Sequence, residues 1–428
     1  MCYKTILRAK LLKKNGTSAH CGDYFTYFCI VKQIISSFKI VLLSTALTMI
    51  GLCPTQAENS RMDSVTISLL TVGAGNEVWS LYGHTAIRYQ DHTTGEDLAI
   101  NYGAFSFDQP FFVPRFVFGL TDYEMAIYPM DLFMQVYREE RRWVLQQTLN
   151  LTTEEKQRIA KALYENYLPQ NRIYRYNYFY DNCTTRARNL IINNLNTKEY
   201  KSDIQWNGES YRTMVHQWAA ADPWTRFGND LLLGISADFH TNREASFFLP
   251  DSVRKDFDHT ILTDRDGSKR PMVSRKTWLI SPKEAQATPP PTPLTPLTAM
   301  AALLAVTLTL SIVERRRGRI FWGLDLLLLF LTGTAGVMLF AMIFSQHPTV
   351  RVNLQILLLN PLSLLLLYPT LKAERRGLTH RYWKVLTICI LFFFIGAFFQ
   401  HYAEGMLFLA LSLLVRCWCN LSRHRVKA

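Results

Sequence analysis

The sequence predicts an α+β domain exported from the cytoplasm and followed by an all-α membrane bundle of about five helices. Three observations predict it. A secretory signal precedes a polar stretch, strand and helix patterns mix through residues 58–287, and dense apolar segments run from 297 onward. The net charge of +13 invites a nucleic-acid reading until it is divided along the chain. Residues 1–57 carry +6 and residues 297–428 carry +10, which leaves the middle at −3. Basic charge thus sits where membrane flanks need it, which argues against nucleic-acid binding.

The leader, residues 1–57, places Lys32 and Lys39 ahead of an apolar run from Ile40 to Leu52. Pro54-Thr-Gln-Ala57 then leads into polar Glu58, which is the layout of a secretory signal, and the run is short for a span. Cleavage after Ala57 and retention as an anchor both put residues 58–290 outside the cytoplasm. A stiff Pro-rich linker, 288–296, ends that domain.

Apolar segments follow at 297–313, 320–345, 353–370, 384–400 and 402–418. Each approaches the roughly 20 residues needed to cross a hydrocarbon core about 30 Å thick. If the first enters from outside, Arg315-Arg-Arg-Gly-Arg319, the Lys372–Lys384 cluster and the tail from Arg416 onward are all cytoplasmic. The opposite loops carry little charge, so the positive-inside rule agrees with the export signal and puts the C-terminus in the cytoplasm. Asp325, Asn353, Asn360 and Glu404 interrupt the apolar segments. They are expected either to line a cavity or to sit at the membrane interface.

Of eight cysteines, only Cys183 falls within 58–287, so it has no disulfide partner there. An inert buried thiol is one explanation, and its neighbours suggest another. Tyr176–Tyr180 reads as extended, Asp181 or Asn182 as an N-cap, and Arg186–Ile192 as a helix with an apolar face. Cys183 then lies in the first helical turn, where the dipole and free N–H groups favour the thiolate and could hold an oxyanion.

A thiol nucleophile needs a base. Trp79–Tyr89 alternates like a strand and carries His84 beside Gly83, and Leu98–Tyr102 reads as the return strand after a turn-rich Gln90–Glu96. A hairpin centred between His92 and Thr93 sets Asn101 opposite His84, where its amide could orient the imidazole. His216, His240 and His259 show no metal-ligand spacing, so neither a metal site nor a cofactor is assigned.

Gly75-Asn-Glu-Val-Trp-Ser-Leu-Tyr-Gly-His84-Thr-Ala-Ile-Arg, Asn101-Tyr-Gly103 and Asp181-Asn-Cys183-Thr-Thr-Arg186 together resemble the periplasmic domain of Lnb-type lipoprotein N-acyltransferases. Asp230-Leu-Leu-Leu-Gly234, Asp238 and Phe247-Phe-Leu-Pro250 extend the resemblance, which covers roughly 62–255. His before Cys reverses the order in papain and is similar to the permuted NlpC/P60-like thiol enzymes. The resemblance implies a permuted papain/NlpC-P60-like fold for 58–287. It also implies transfer of a fatty acyl chain onto the N-terminal amine of diacylglyceryl-Cys lipoproteins. Cys183 would hold the chain as a thioester and His84 would move the proton. Asn101 would orient His84, and Tyr82, Asn182 and Arg186, within the same motifs, would bind substrate. The implied partners are lipid-modified lipoproteins and membrane lipid at a bacterial inner membrane, with the soluble domain in the periplasm.

The aromatic stretch Phe105–Phe118 is expected to line an acyl groove, rest on the bilayer or pack the domain's own core. Thr152-Thr-Glu-Glu155 starts a helix through a capping box. Two rival functions remain open. An envelope cysteine peptidase or amidase needs at most one anchor, which several membrane helices exceed, and a non-catalytic sensor has no use for the His–Cys pair.

Overall fold

A computed structural model describes residues 61–77, 79–105, 110–285, 293–318 and 321–422. The leader and most of the Pro-rich linker lie outside the described residues. The chain first forms β1 (Val65–Val72), β2 (His84–Asp91), β3 (Glu96–Ala104), α1 (Phe112–Val117) and β4 (Asp122–Pro129). Next come α2 (Met130–Glu139), β5 (Val144–Leu149), α3 (Thr153–Tyr167), β6 (Ile173–Arg175), α4 (Cys183–Asn193) and β7 (Thr197–Ser202). The domain closes with α5 (Tyr211–Trp218), α6 (Pro223–Leu232), α7 (Pro250–Asp258), β8 (Thr260–Asp264), β9 (Lys269–Pro271) and β10 (Val273–Ile280).

Seven strands make one antiparallel sheet in the order β10-β5-β1-β2-β3-β4-β6. β1 is buried along nearly its whole length, Ser68 and Thr71 included, because both faces are covered. Ile67, Leu69, Ile87 and Ile100 pack with Ile159 of α3 and Ile191 of α4 on one face. Leu70, Val72, Ala86 and Ala99 meet Met130 and Phe133 of α2 on the other. This is the expected α+β domain. The capping box at Thr152 is formed in both directions, with Thr152 accepting from Glu155 N–H and Glu155 from Thr152 N–H.

The β2–β3 register departs from expectation. Asn101 stands opposite Ala86, two residues beyond His84. The Asp91 carboxylate accepts the N–H groups of Thr93 and Thr94, and Gly95 takes φ +76°, so the turn centres one residue later than a symmetric loop. An even offset keeps both side chains on one face, and the two residues remain diagonal neighbours.

The C-terminal region is helical. α8 (Pro296–Arg317) and α9 (Trp322–Met342) are long and apolar enough to cross a membrane. The segment expected to span 353–370 is broken into a 3₁₀ turn (Leu354–Leu357), α10 (Leu362–Leu365) and α11 (Leu367–Arg375), bent by 70°. Pro369 cannot donate to the Leu365 carbonyl, which frees the backbone where the axis turns. Gly336 of α9 admits the broken stretch, since a Cβ there would lie 2.4 Å from the Leu359 oxygen. α12 (Tyr382–Gly396) and α13 (Met406–Leu421) are shorter, at 15 and 16 residues.

Asp325, Asn353, Asn360 and Glu404 each bond to a partner inside the protein. Arg416, counted above with the basic tail, is fully buried and reaches Asp325 twice at 2.7 Å and Glu314 at 2.8 Å. The Asn360 Oδ1 accepts from Leu362 N–H ahead of α10, and Glu404 pairs with Arg226 at 2.7 Å.

The sheet domain is fastened to the bundle through backbone groups. Gly234 and Ile235 donate to the carbonyls of Thr349 and Val352 at 2.8 Å each. Asn353, Gln355 and Gln400 donate their amides to the carbonyls of Leu231, Asp230 and Leu233. Gly234 is required, because a Cβ there would stand 2.2 Å from the Val352 oxygen. Arg212 sits beneath this seam and bridges Asp230 at 2.6 Å and Asp238 at 2.7 Å.

Candidate active site

α4 begins at Cys183 because Asn182 caps it. The Asn182 Oδ1 accepts the N–H groups of Thr184 and Thr185, and the Thr185 hydroxyl accepts from Asn182 N–H. The Asn182 amide donates to the carbonyls of Tyr178 and Phe248, fixing the approach to the helix. The thiol therefore projects from the first turn toward the start of β2, where Thr85 and Thr184 join hydroxyls at 3.1 Å.

His84 opens β2 directly after Gly83, whose φ of +83° turns the chain into the strand. Its Nε2 lies 2.6 Å from the Asn101 Oδ1. That oxygen accepts only, so Nε2 carries the proton and Nδ1 keeps its lone pair. Burial alone would push the Cys183 thiol up. The charge of His84 and a hydrogen bond to it outweigh burial, aided by the Thr85 N–H and the Thr184 hydroxyl, and the thiol falls from 9.0 to about 7. Half of such a thiol is ionised near neutral pH, which makes it a competent nucleophile.

The structure thus brings Cys183, His84 and Asn101 together from α4, β2 and β3. The residues expected to bind substrate are each bonded within the chain. Asn182 is buried with both ends of its amide bonded inside the chain, so it offers no free group. Arg186 forks onto Asp181 with two bonds of 2.7 Å and lies flat on the Tyr174 ring at 3.6 Å. Tyr82 accepts a 2.5 Å bond from Asn229 of α6, one residue ahead of the membrane seam. The capping of α4 also corrects the expected oxyanion site, because Asn182 occupies the N–H groups of Thr184 and Thr185.

Sequence reasoning passed over the tyrosines. Phe105 stacks on Tyr123 at 4.9 Å and Tyr123 on Tyr176 at 4.1 Å. Gly103 leaves a small space here, where a Cβ would stand 3.6 Å from the Cys183 Cβ and 4.0 Å from the Tyr174 hydroxyl. The run Tyr174-Arg-Tyr-Asn-Tyr just upstream of Cys183 was the available signal. Beyond residues 106–109, which lie outside the described residues, the aromatic stretch reaches the bundle. Phe118 accepts from Gln346 N–H at 2.9 Å, and Phe111 is 81% exposed. Those two residues do not pack the domain's own core. Among the described residues, no group of three His, Cys, Asp or Glu side chains is placed to hold a metal.

A family model described as the Lnb N-terminal periplasmic domain matches residues 54–217. A second, the Lnb transmembrane domain, matches residues 288–427. No curated protein and no solved structure matches the chain.

Proposed function

Because this chain belongs to the Lnb family, with a periplasmic domain followed by a transmembrane one, we propose that it is a membrane-bound thiol acyltransferase acting on lipoproteins. It moves a fatty acyl chain onto the N-terminal amine of diacylglyceryl-Cys through a thioester on Cys183. The observation that carries this reading is the Cys183 thiol held at about 7 by His84, with Asn101 fixing the imidazole.

Nδ1 of His84 takes the thiol proton, and the thiolate attacks the ester carbonyl. The resulting imidazolium protonates the departing glycerol oxygen. The incoming amine then attacks the thioester, passes its proton to His84 and releases the thiolate. A thioester survives for an amine only if water is kept away. Seating on a transmembrane bundle supports this, since it keeps the domain at the membrane that anchors such substrates. Phe105 stacks beside Tyr123 near the site, and the Phe118 carbonyl bonds to the bundle at Gln346.

Mass spectrometry of lipoprotein N-terminal peptides tests the reading in cells carrying wild-type or Cys183→Ser protein at equal levels. The variant is expected to leave free α-amines on diacylglyceryl-Cys. Unchanged N-acylation would remove the acyltransferase and make an envelope amidase the better reading.

A further inference from the structure

With the N–H groups of Thr184 and Thr185 committed to Asn182, the head of α4 keeps only the N–H of Cys183 for an oxyanion. Acyl transfer gains most from preorganised donors at that oxygen, and one donor is a thin provision. A second lies nearby. Tyr174 is 6% exposed, yet its hydroxyl has no hydrogen-bond partner. Buried hydroxyls are nearly always paired, and an orphan beside a nucleophile is placed for a ligand atom.

We propose that Tyr174 is a catalytic residue whose hydroxyl donates to the oxyanion formed when Cys183 attacks an ester carbonyl, with Arg186 as its positioning residue. The proposal rests on the thioester chemistry above. Its geometry comes from Gly103, whose φ of +101° leaves the small space that the Tyr174 hydroxyl and the Cys183 Cβ both border. The ring cannot swing away, because the Arg186 guanidinium covers one face at 3.6 Å and is itself forked onto Asp181. β6 adds a second restraint by pairing Tyr174 with Tyr123. Burial and then the neighbouring thiolate push the hydroxyl's pKa well up, so it stays protonated and remains a donor.

In the step itself the C–S bond forms as the carbonyl π pair moves onto oxygen, where Tyr174 O–H donates to it. The pair then returns, the C–O bond to glycerol breaks, and the leaving oxygen takes the proton from His84. Tyr174 neither gains nor loses a proton. Tyr102 provides a matched control: its hydroxyl is also buried and unpartnered, but its charged neighbour is Arg186 rather than Cys183.

The experiment uses the full chain in detergent and follows the Cys183 peptide by mass spectrometry with two electrophiles. Iodoacetamide reports the thiolate alone, since alkylation makes no oxyanion, whereas a p-nitrophenyl acyl ester reports acylation. Tyr174→Phe is expected to slow acylation by about 100-fold and leave alkylation within about two-fold. Arg186→Lys is expected to lose part of the acylation rate with alkylation intact, and Tyr102→Phe to change neither. Unaltered acylation in Tyr174→Phe, or an equal fall in both rates, would overturn the role of Tyr174. An ester that fails to acylate the wild-type protein, while iodoacetamide still reacts, would overturn the thioester reading along with it.

Discussion

Around Arg212, every polar group of the seam between sheet domain and bundle finds a partner. The guanidinium reaches Asp230, Asp238 and the carbonyls of Leu233 and Gly234, while Asn353, Gln355 and Gln400 close on neighbouring carbonyls. At the head of α4 the accounts stay open. Cys183 shares a proton with His84, and the hydroxyl of Tyr174 is buried without a partner. Both regions bury polar groups among apolar ones, and the difference lies in completion. A finished network holds a shape, whereas an unfinished one leaves room for a substrate atom to finish it.

The contrast predicts its largest effect at the seam. Arg212→Met leaves Asp238 without its guanidinium and Asp230 with only the His216 imidazole at 2.8 Å. Removing one member of a buried ion cluster costs about 3–5 kcal/mol. Unfolding of the detergent-solubilised protein should show that loss, while Cys183 in the fraction still folded should react with iodoacetamide at the wild-type rate. An intact unfolding midpoint would mean that the seam is held by its backbone bonds alone.

Much of the fold could be read from the sequence because the signals were local. The cap before Cys183, the capping box at Thr152 and the apolar runs each involve residues within one or two turns. The β2–β3 register was misplaced by two because the carboxylate of Asp91, and not loop symmetry, centres the turn. The span expected at 353–370 is broken at Leu366, where Pro369 withholds a donor from the Leu365 carbonyl. At the candidate site, Cys183 and His84 were singled out by residue type and local pattern, and Asn101 by a register two residues off. Arg212 and Tyr174 were not, since their meaning depends on groups brought from elsewhere in the chain. Asp238 lies 26 residues beyond Arg212, and Cys183 shares a space with Tyr174 only because Gly103 admits both.

A smaller effect is expected at Asn101. Its Oδ1 accepts from Nε2–H and so fixes the ring that holds the Cys183 thiol at about 7. Asn101→Ala lets the ring turn away from Cys183, and the thiol moves up toward its ordinary value. The rate of alkylation rises with pH through the thiol's midpoint, so the whole profile shifts to higher pH. A midpoint moved from about 7 to about 8 cuts the thiolate at neutral pH roughly five-fold. A profile that stays in place would show that Asn101 merely fills space beside the ring.

Tyr82 sharpens the comparison most finely, because it stands between the two regions. Its backbone leads into His84, but its hydroxyl belongs to Asn229 of α6 and so to the seam. Burial, opposed by that bond, pushes the hydroxyl up to about 12, so it stays protonated. Tyr82→Phe strands the Asn229 amide and should cost about 1 kcal/mol of stability, with iodoacetamide and ester both reacting at wild-type rates. Tyr174→Phe should do the reverse, leaving stability untouched because no partner is lost while acylation falls. A Tyr82→Phe protein of full stability whose KM for the ester rises would move that hydroxyl out of the seam and into the substrate site. The pair of tyrosines then becomes a direct assay of which buried hydroxyls the fold needs and which the reaction needs.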